Sequence, residues 1–179
     1  MRFKVTANAA NPVSIFHFEF KVSTTTGVTV TTVGLYAYAD SSYSSSISGQ
    51  GTSGQIGSST DTHISGNAFV IEPASTPVVV PAGQTRYFEL RGTVTGVDTG
   101  DSIVTTLLGD AAYPTGSAEI PTGFNVSTSS VATSSALGND NFVWAGQSTT
   151  SSSYDDPDWS NGFGLPGLPS GGLIQSRSN

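Results

Sequence analysis

The run Val13-Ser14-Ile15-Phe16-His17-Phe18-Glu19-Phe20-Lys21-Val22 decides the fold class. Phe16, Phe18, Phe20 and Val22 fall on one side of an extended chain, and His17, Glu19 and Lys21 on the other. A period of two is what a half-buried antiparallel strand requires. Upstream, Arg2-Phe3-Lys4-Val5-Thr6 alternates in the same way. Downstream, residues 24–39 continue with β-branched and aromatic residues, and Gly34 interrupts them where a bulge or bend would sit. Residues 40–61 are dominated by Ser and Gly, with Tyr43, Ile47 and Ile56 as the only anchors, and read as a long loop with at most a short edge strand.

Further on, the apolar runs at 68–71 and 78–80 are bounded by Pro73, Pro77 and Pro81, which confine them to edges or strand ends. Residues 84–94 form another strong strand, with Phe88, Leu90 and Val94 on the expected core face. Asp98-Thr99-Gly100-Asp101 is a turn, and 102–108 a further strand. Short strands between Gly, Pro and Asp turns, with no helical period, predict an all-β fold. The expected architecture is an antiparallel Ig-like β-sandwich with a long extended Ser/Thr/Gly/Pro-rich C-terminal segment, a closed barrel being the alternative. The sequence divides into a sandwich body at 1–113, a Ser/Thr-rich connection with a last strand at 114–145, and a tail at 146–179. That tail holds Tyr154, Trp159, Phe163, Leu165, Leu168, Leu173 and Ile174, too many large apolar groups for a free coil. It is expected to lie along its own sandwich or a neighbouring subunit.

Composition narrows the function. Only 11% of the residues are charged, against about 25% in an ordinary soluble domain. Ser (28), Thr (23) and Gly (21) take their place, which suits an exterior protein. The net charge is −7, and the six basic residues are scattered, so no basic face exists to displace counterions from nucleic acid. No apolar run approaches the roughly 18 residues of a membrane-spanning helix. With no cysteine, disulfides and thiolate metal sites are excluded together. Met1 leads straight into a strand-like run with no leader before it, from which a mature end of a longer precursor, or a part of a larger protein, is expected.

The stretch Val80-Pro81-Ala82-Gly83-Gln84-Thr85-Arg86-Tyr87-Phe88-Glu89-Leu90-Arg91-Gly92-Thr93-Val94-Thr95-Gly96 resembles Ig-like β-sandwich repeats of large bacterial cell-surface proteins. Asn141-Phe142-Val143-Trp144 and Asp158-Trp159-Ser160-Asn161-Gly162-Phe163, in a Ser/Thr-rich setting, resemble the C-terminal regions of long surface proteins from small-genome bacteria. The resemblance implies a secreted, wall-associated or filamentous location, and it carries no catalytic residues.

Candidate chemistry is sparse. His17 and His63 lie far apart and both read as solvent-exposed imidazoles. No Gly-x-Ser-x-Gly elbow marks a nucleophile. Glu19 and Glu89 are the best pair of carboxylates for glycoside hydrolysis, yet nothing in the sequence sets them facing each other. Asp155, Asp156 and Asp158 with Asn161 offer oxygen ligands for calcium, and Asp98, Asp101 and Asp110 form a looser second group. Neither has EF-hand spacing, and acids capping turn amides are the simpler reading. Tyr36 and Tyr38, two residues apart on one strand face, could form a sugar-stacking platform or a cross-strand pair. Asn125-Val126-Ser127 is a glycosylation sequon. The expectation is a non-enzymatic extracellular or cell-surface protein: a subunit or module of a filament or surface layer that binds copies of itself, or other surface proteins, through strand edges or its tail. The alternative is an adhesin or carbohydrate-binding module that recognises glycans.

Overall fold

The structure, a computed structural model, describes residues 1–60, 68–74, 76–113, 140–146 and 159–179. It is an all-β, two-sheet antiparallel sandwich. Eleven strands follow in chain order among the described residues: β1 (Arg2–Thr6), β2 (Val13–Thr24), β3 (Thr29–Tyr38), β4 (Gln55–Thr60), β5 (Ala68–Ile71), β6 (Val78–Val80), β7 (Thr85–Thr95), β8 (Ser102–Leu107), β9 (Phe142–Gly146), β10 (Trp159–Ser160) and β11 (Leu173–Ser178). One sheet has the order β1-β7-β3-β4. The other runs β10-β9-β2-β8-β11, with β5 and β6 also paired to β2.

β2 organises the second sheet. β9 pairs with its first half and β8 with its second, while β6 and β5 pair with it as well. The alternation read from its sequence is broken once. A bulge between Ile15 and His17 shifts the register against β9. Ile15, Phe18, Phe20 and Val22 face the core, and Phe16 leaves it to meet the edge of Trp159 at 5.9 Å. The expectation that Phe16 shares a face with Phe18 is therefore corrected: an extra residue in one strand turns the chain over locally. Between the sheets, Phe3, Phe18, Phe20, Phe88 and Phe142 form a connected aromatic cluster, with Phe3 stacked on Phe88 at 5.0 Å and Phe18 edge-on to Phe142 at 5.5 Å.

β3 also carries a bulge, at 31–34, as Gly34 suggests. The left-handed residue there is Thr32 (φ 51°), an unfavourable place for a β-branched side chain. Leu90 on β7 is buried, but Val94 is 41% exposed, so the expected core face of that strand ends before Val94. The second sheet recruits strands from beyond residue 113: β9, β10 and β11 complete it, and β11 pairs along the whole of β8 from Leu173–Leu107 to Ser178–Ser102. Trp144 and Trp159 thus belong to the sandwich.

Candidate functional site

The outer face of the four-stranded sheet gathers the richest polar chemistry. Phe88 and Leu90 point inward, so Tyr87, Glu89 and Arg91 point out. Strand register then sets rows across the sheet. Arg2, Glu89, Tyr36 and Gln55 share one row, and Lys4, Tyr87 and Tyr38 the next. Glu89 is the centre. It accepts from Arg2 Nε at 2.7 Å and from Arg91 Nε at 2.6 Å. Burial alone would raise its carboxyl, yet the hydrogen bonds from Arg2 and Arg91 outweigh that and hold it below the ordinary glutamate value.

The arginines in turn cover the tyrosines. The Arg91 guanidinium stands 4.7 Å from the Tyr36 ring centre and donates to the Tyr38 hydroxyl at 2.6 Å. Arg2 stands 4.2 Å over Tyr43, whose ring is edge-on to both Tyr38 and Tyr87. Tyr43 comes from the loop after β3, which Asp40 shapes by accepting from the Ser42 and Ser44 hydroxyls and the Ser44 and Ser45 amides. Those bonds, the Ser42 hydroxyl first, hold Asp40 far below the usual carboxylate range. Tyr36 and Tyr38 do share a face, but a ligand would meet Arg91 before either ring. The chemistry on offer is a fixed array of guanidinium, carboxylate and phenol groups, suited to polar recognition.

On the opposite outer face, that of the second sheet, the stretch of β2 from Ser14 to Glu19 is buried. His17 is fully buried, against the expectation of an exposed imidazole. Its Nδ1–H donates to Glu72 at 2.8 Å, and Nε2 is buried without a hydrogen-bond partner. An imidazole oriented in this way suits a base or a metal ligand. Among the described residues, however, nothing bonds to Nε2 and no group of three or more metal-ligating side chains converges. Glu19, also on this face, is pushed up chiefly by burial, with Asp140 and Asp110 adding to the rise and His17 opposing it. Glu19 and Glu89 therefore lie on opposite outer faces of the sandwich and cannot flank one glycosidic bond.

Asp110 is built into the fold. It accepts from the amides of Asn141 (2.8 Å), Gly162 (2.7 Å) and Phe142 (3.3 Å). Burial nonetheless raises its pKa against those three bonds. Asp98 and Asp101 close the turn before β8, at the other end of that strand, so the three do not form one calcium site. Of the other calcium candidates, Asn161 is buried, donates to the Ala112 carbonyl at 2.8 Å and accepts from the Phe163 amide through its side chain. Asp155, Asp156 and Asp158 lie outside the described residues, as do Asn125 and His63. The Arg2–Glu89–Arg91 group was not singled out from the sequence. Its one signal is that Glu89 and Arg91 sit two apart on the outward parity of a strand.

Fold and surface together define an antiparallel β-sandwich with a polar, aromatic outer face. No protein family, curated protein or solved structure matches the chain.

Proposed function

We propose that the chain is an extracellular structural module of a cell-surface filament or layer, joining copies of itself through the open edge of β11. The single observation that carries this is the edge itself. β11 pairs with β8 on one side and with no strand on the other among the described residues, and Ile174 on it is 67% exposed. The Asn179 amide donates back to Asp101, so odd-numbered amides of β11 turn toward β8 and even-numbered ones turn outward. An unprotected edge of this kind is a template for a strand of another molecule. The Ser/Thr-rich, charge-poor composition and the resemblance to surface repeats support an exterior setting.

Sedimentation velocity tests the reading. The chain is expected to associate as concentration rises. Ile174→Lys, and Ser176→Pro, which removes only an outward amide, should leave a folded monomer. A wild-type chain that stays monomeric at millimolar concentration would defeat the edge-pairing role. The second reading, a glycan-binding or adhesive module, rests on the Tyr, Arg and Glu array of the other sheet. It gains if glycan binding is found and is lost in Arg91→Ala.

A further inference from the structure

Five of the six basic side chains, Arg2, Lys4, Lys21, Arg91 and Arg177, are exposed; Arg86 alone is half-buried. Its place on β7 explains the burial but not the charge. Phe88 and Leu90 turn into the core, and position 86 has the same parity, paired with Val5 across β1. An aliphatic residue there would simply extend the core. Among the described residues the ion pairs involve Arg2, Arg91 and His17, and none involves Arg86. Its Nε is buried with no acceptor. A buried donor left unpaired is destabilising, more so when charged.

The side chain lines a pocket of about 470 Å³ where the loop after β3 meets the segment leading into β6. That pocket is built, not merely left over. Gln50 Nε2 donates to the Thr76 carbonyl at 3.2 Å, and the Thr76 hydroxyl donates to the Gly49 carbonyl at 3.2 Å, strapping the two segments together. Ser46, Ser48 and Gln50 give it polar walls, while Ile47 and Val79 give it an apolar one.

We infer that this pocket binds a saccharide bearing a carboxylate, of the uronic acid class, with Arg86 as its anchor. A carboxylate taken end-on by the two terminal Nη–H groups, which unlike Nε are not among the buried unpartnered atoms, would give Arg86 the counter-charge that the described residues do not supply. Serine hydroxyls and a carboxamide suit the ring hydroxyls, and Ile47 with Val79 suits an apolar sugar face. The pocket uses neither the β11 edge nor the Arg2–Glu89–Arg91 array, so it stands or falls separately from assembly.

The test follows the Arg86 Nε–Hε resonance of the full chain by NMR during titration with sodium D-glucuronate, D-glucose and sodium acetate. Glucuronate should shift it saturably, glucose should leave it unmoved, and acetate should bind at least roughly tenfold more weakly. In the Arg86 variants, which lack that resonance, binding is read by isothermal titration calorimetry: Arg86→Lys should weaken glucuronate binding by roughly 10- to 100-fold, because an ammonium has no fork. Arg86→Met should abolish binding while melting no lower than wild type, since it removes an unpaired charge from a half-buried place. Absence of a saturable shift, equal binding of glucose or acetate, or unchanged binding in Arg86→Met would each overturn the inference.

Discussion

Glu19 is 3% exposed on the far face of β2, with Asp110 and Asp140 adding negative charge around it. Because burial raises its folded-state pKa, the folded chain holds that proton more tightly than the unfolded one. Its effect on stability therefore turns unfavourable as pH rises from the ordinary glutamate value through the raised one. Asp110 acts in the same direction. Glu89 and Asp101, both lowered, act in the opposite sense: the stability they contribute is lost as pH falls through their folded values. Glu19→Gln should thus raise the melting temperature at pH 7 by roughly 2–4 °C and have little effect near pH 4. Calorimetry across that range checks it, and an equal gain at both pH values would show that repacking, not charge, was responsible. Residue by residue, the sequence revealed the buried phenylalanines because their spacing is regular. It concealed the environment of His17, since a one-residue bulge leaves no mark in the letters, and Glu72, which binds it, is 55 residues away.

At the scale of elements, strands with strong alternation were legible and the closing edge was not. β2 and β7 announce themselves through Phe18, Phe20, Phe88 and Leu90. β11 reads Leu-Ile-Gln-Ser-Arg-Ser, and of its residues only Leu173 packs on the core cluster. Its place comes from the turn before it. The Gly172 amide donates to the Pro169 carbonyl at 2.7 Å, and that carbonyl lies so close to Gly109 that a Cβ there would collide with it. A Cβ on Gly172 would likewise strike the Leu107 carbonyl. Two glycines thus let the turn seat against the end of β8. Gly109→Ala should cost about 1–3 kcal/mol in urea unfolding and speed hydrogen exchange at the β11 amides that face β8. Ser170→Ala, on the exposed part of the same turn, should do neither. Unchanged exchange in Gly109→Ala would mean that β11 is held by its ladder with β8 alone.

For the whole molecule, the two ends of the chain are structurally interdependent. The Arg2 amide donates to the Gln175 side chain, 173 residues later, and the Met1 amine donates to the Leu90 carbonyl. The last segment is woven into the second sheet at several points: Trp159 against Phe16, the Gly162 amide on Asp110, Asn161 on Ala112, and β11 along β8. A chain ending at residue 158 would leave Asp110 with fewer of the amides that offset its burial and would expose the whole outer edge of β8. Unpaired buried polar groups and a bare hydrophobic edge are each destabilising on the scale of a small domain's total stability. Such a truncation is therefore expected to lose its near-ultraviolet circular dichroism and its cooperative melt, not merely to melt a few degrees lower. If it instead melts cooperatively close to the full chain, residues 159–179 are an accessory to a self-sufficient body. The segment could then be exchanged between copies, and the tail would become a stronger candidate for the assembling element than the β11 edge in place.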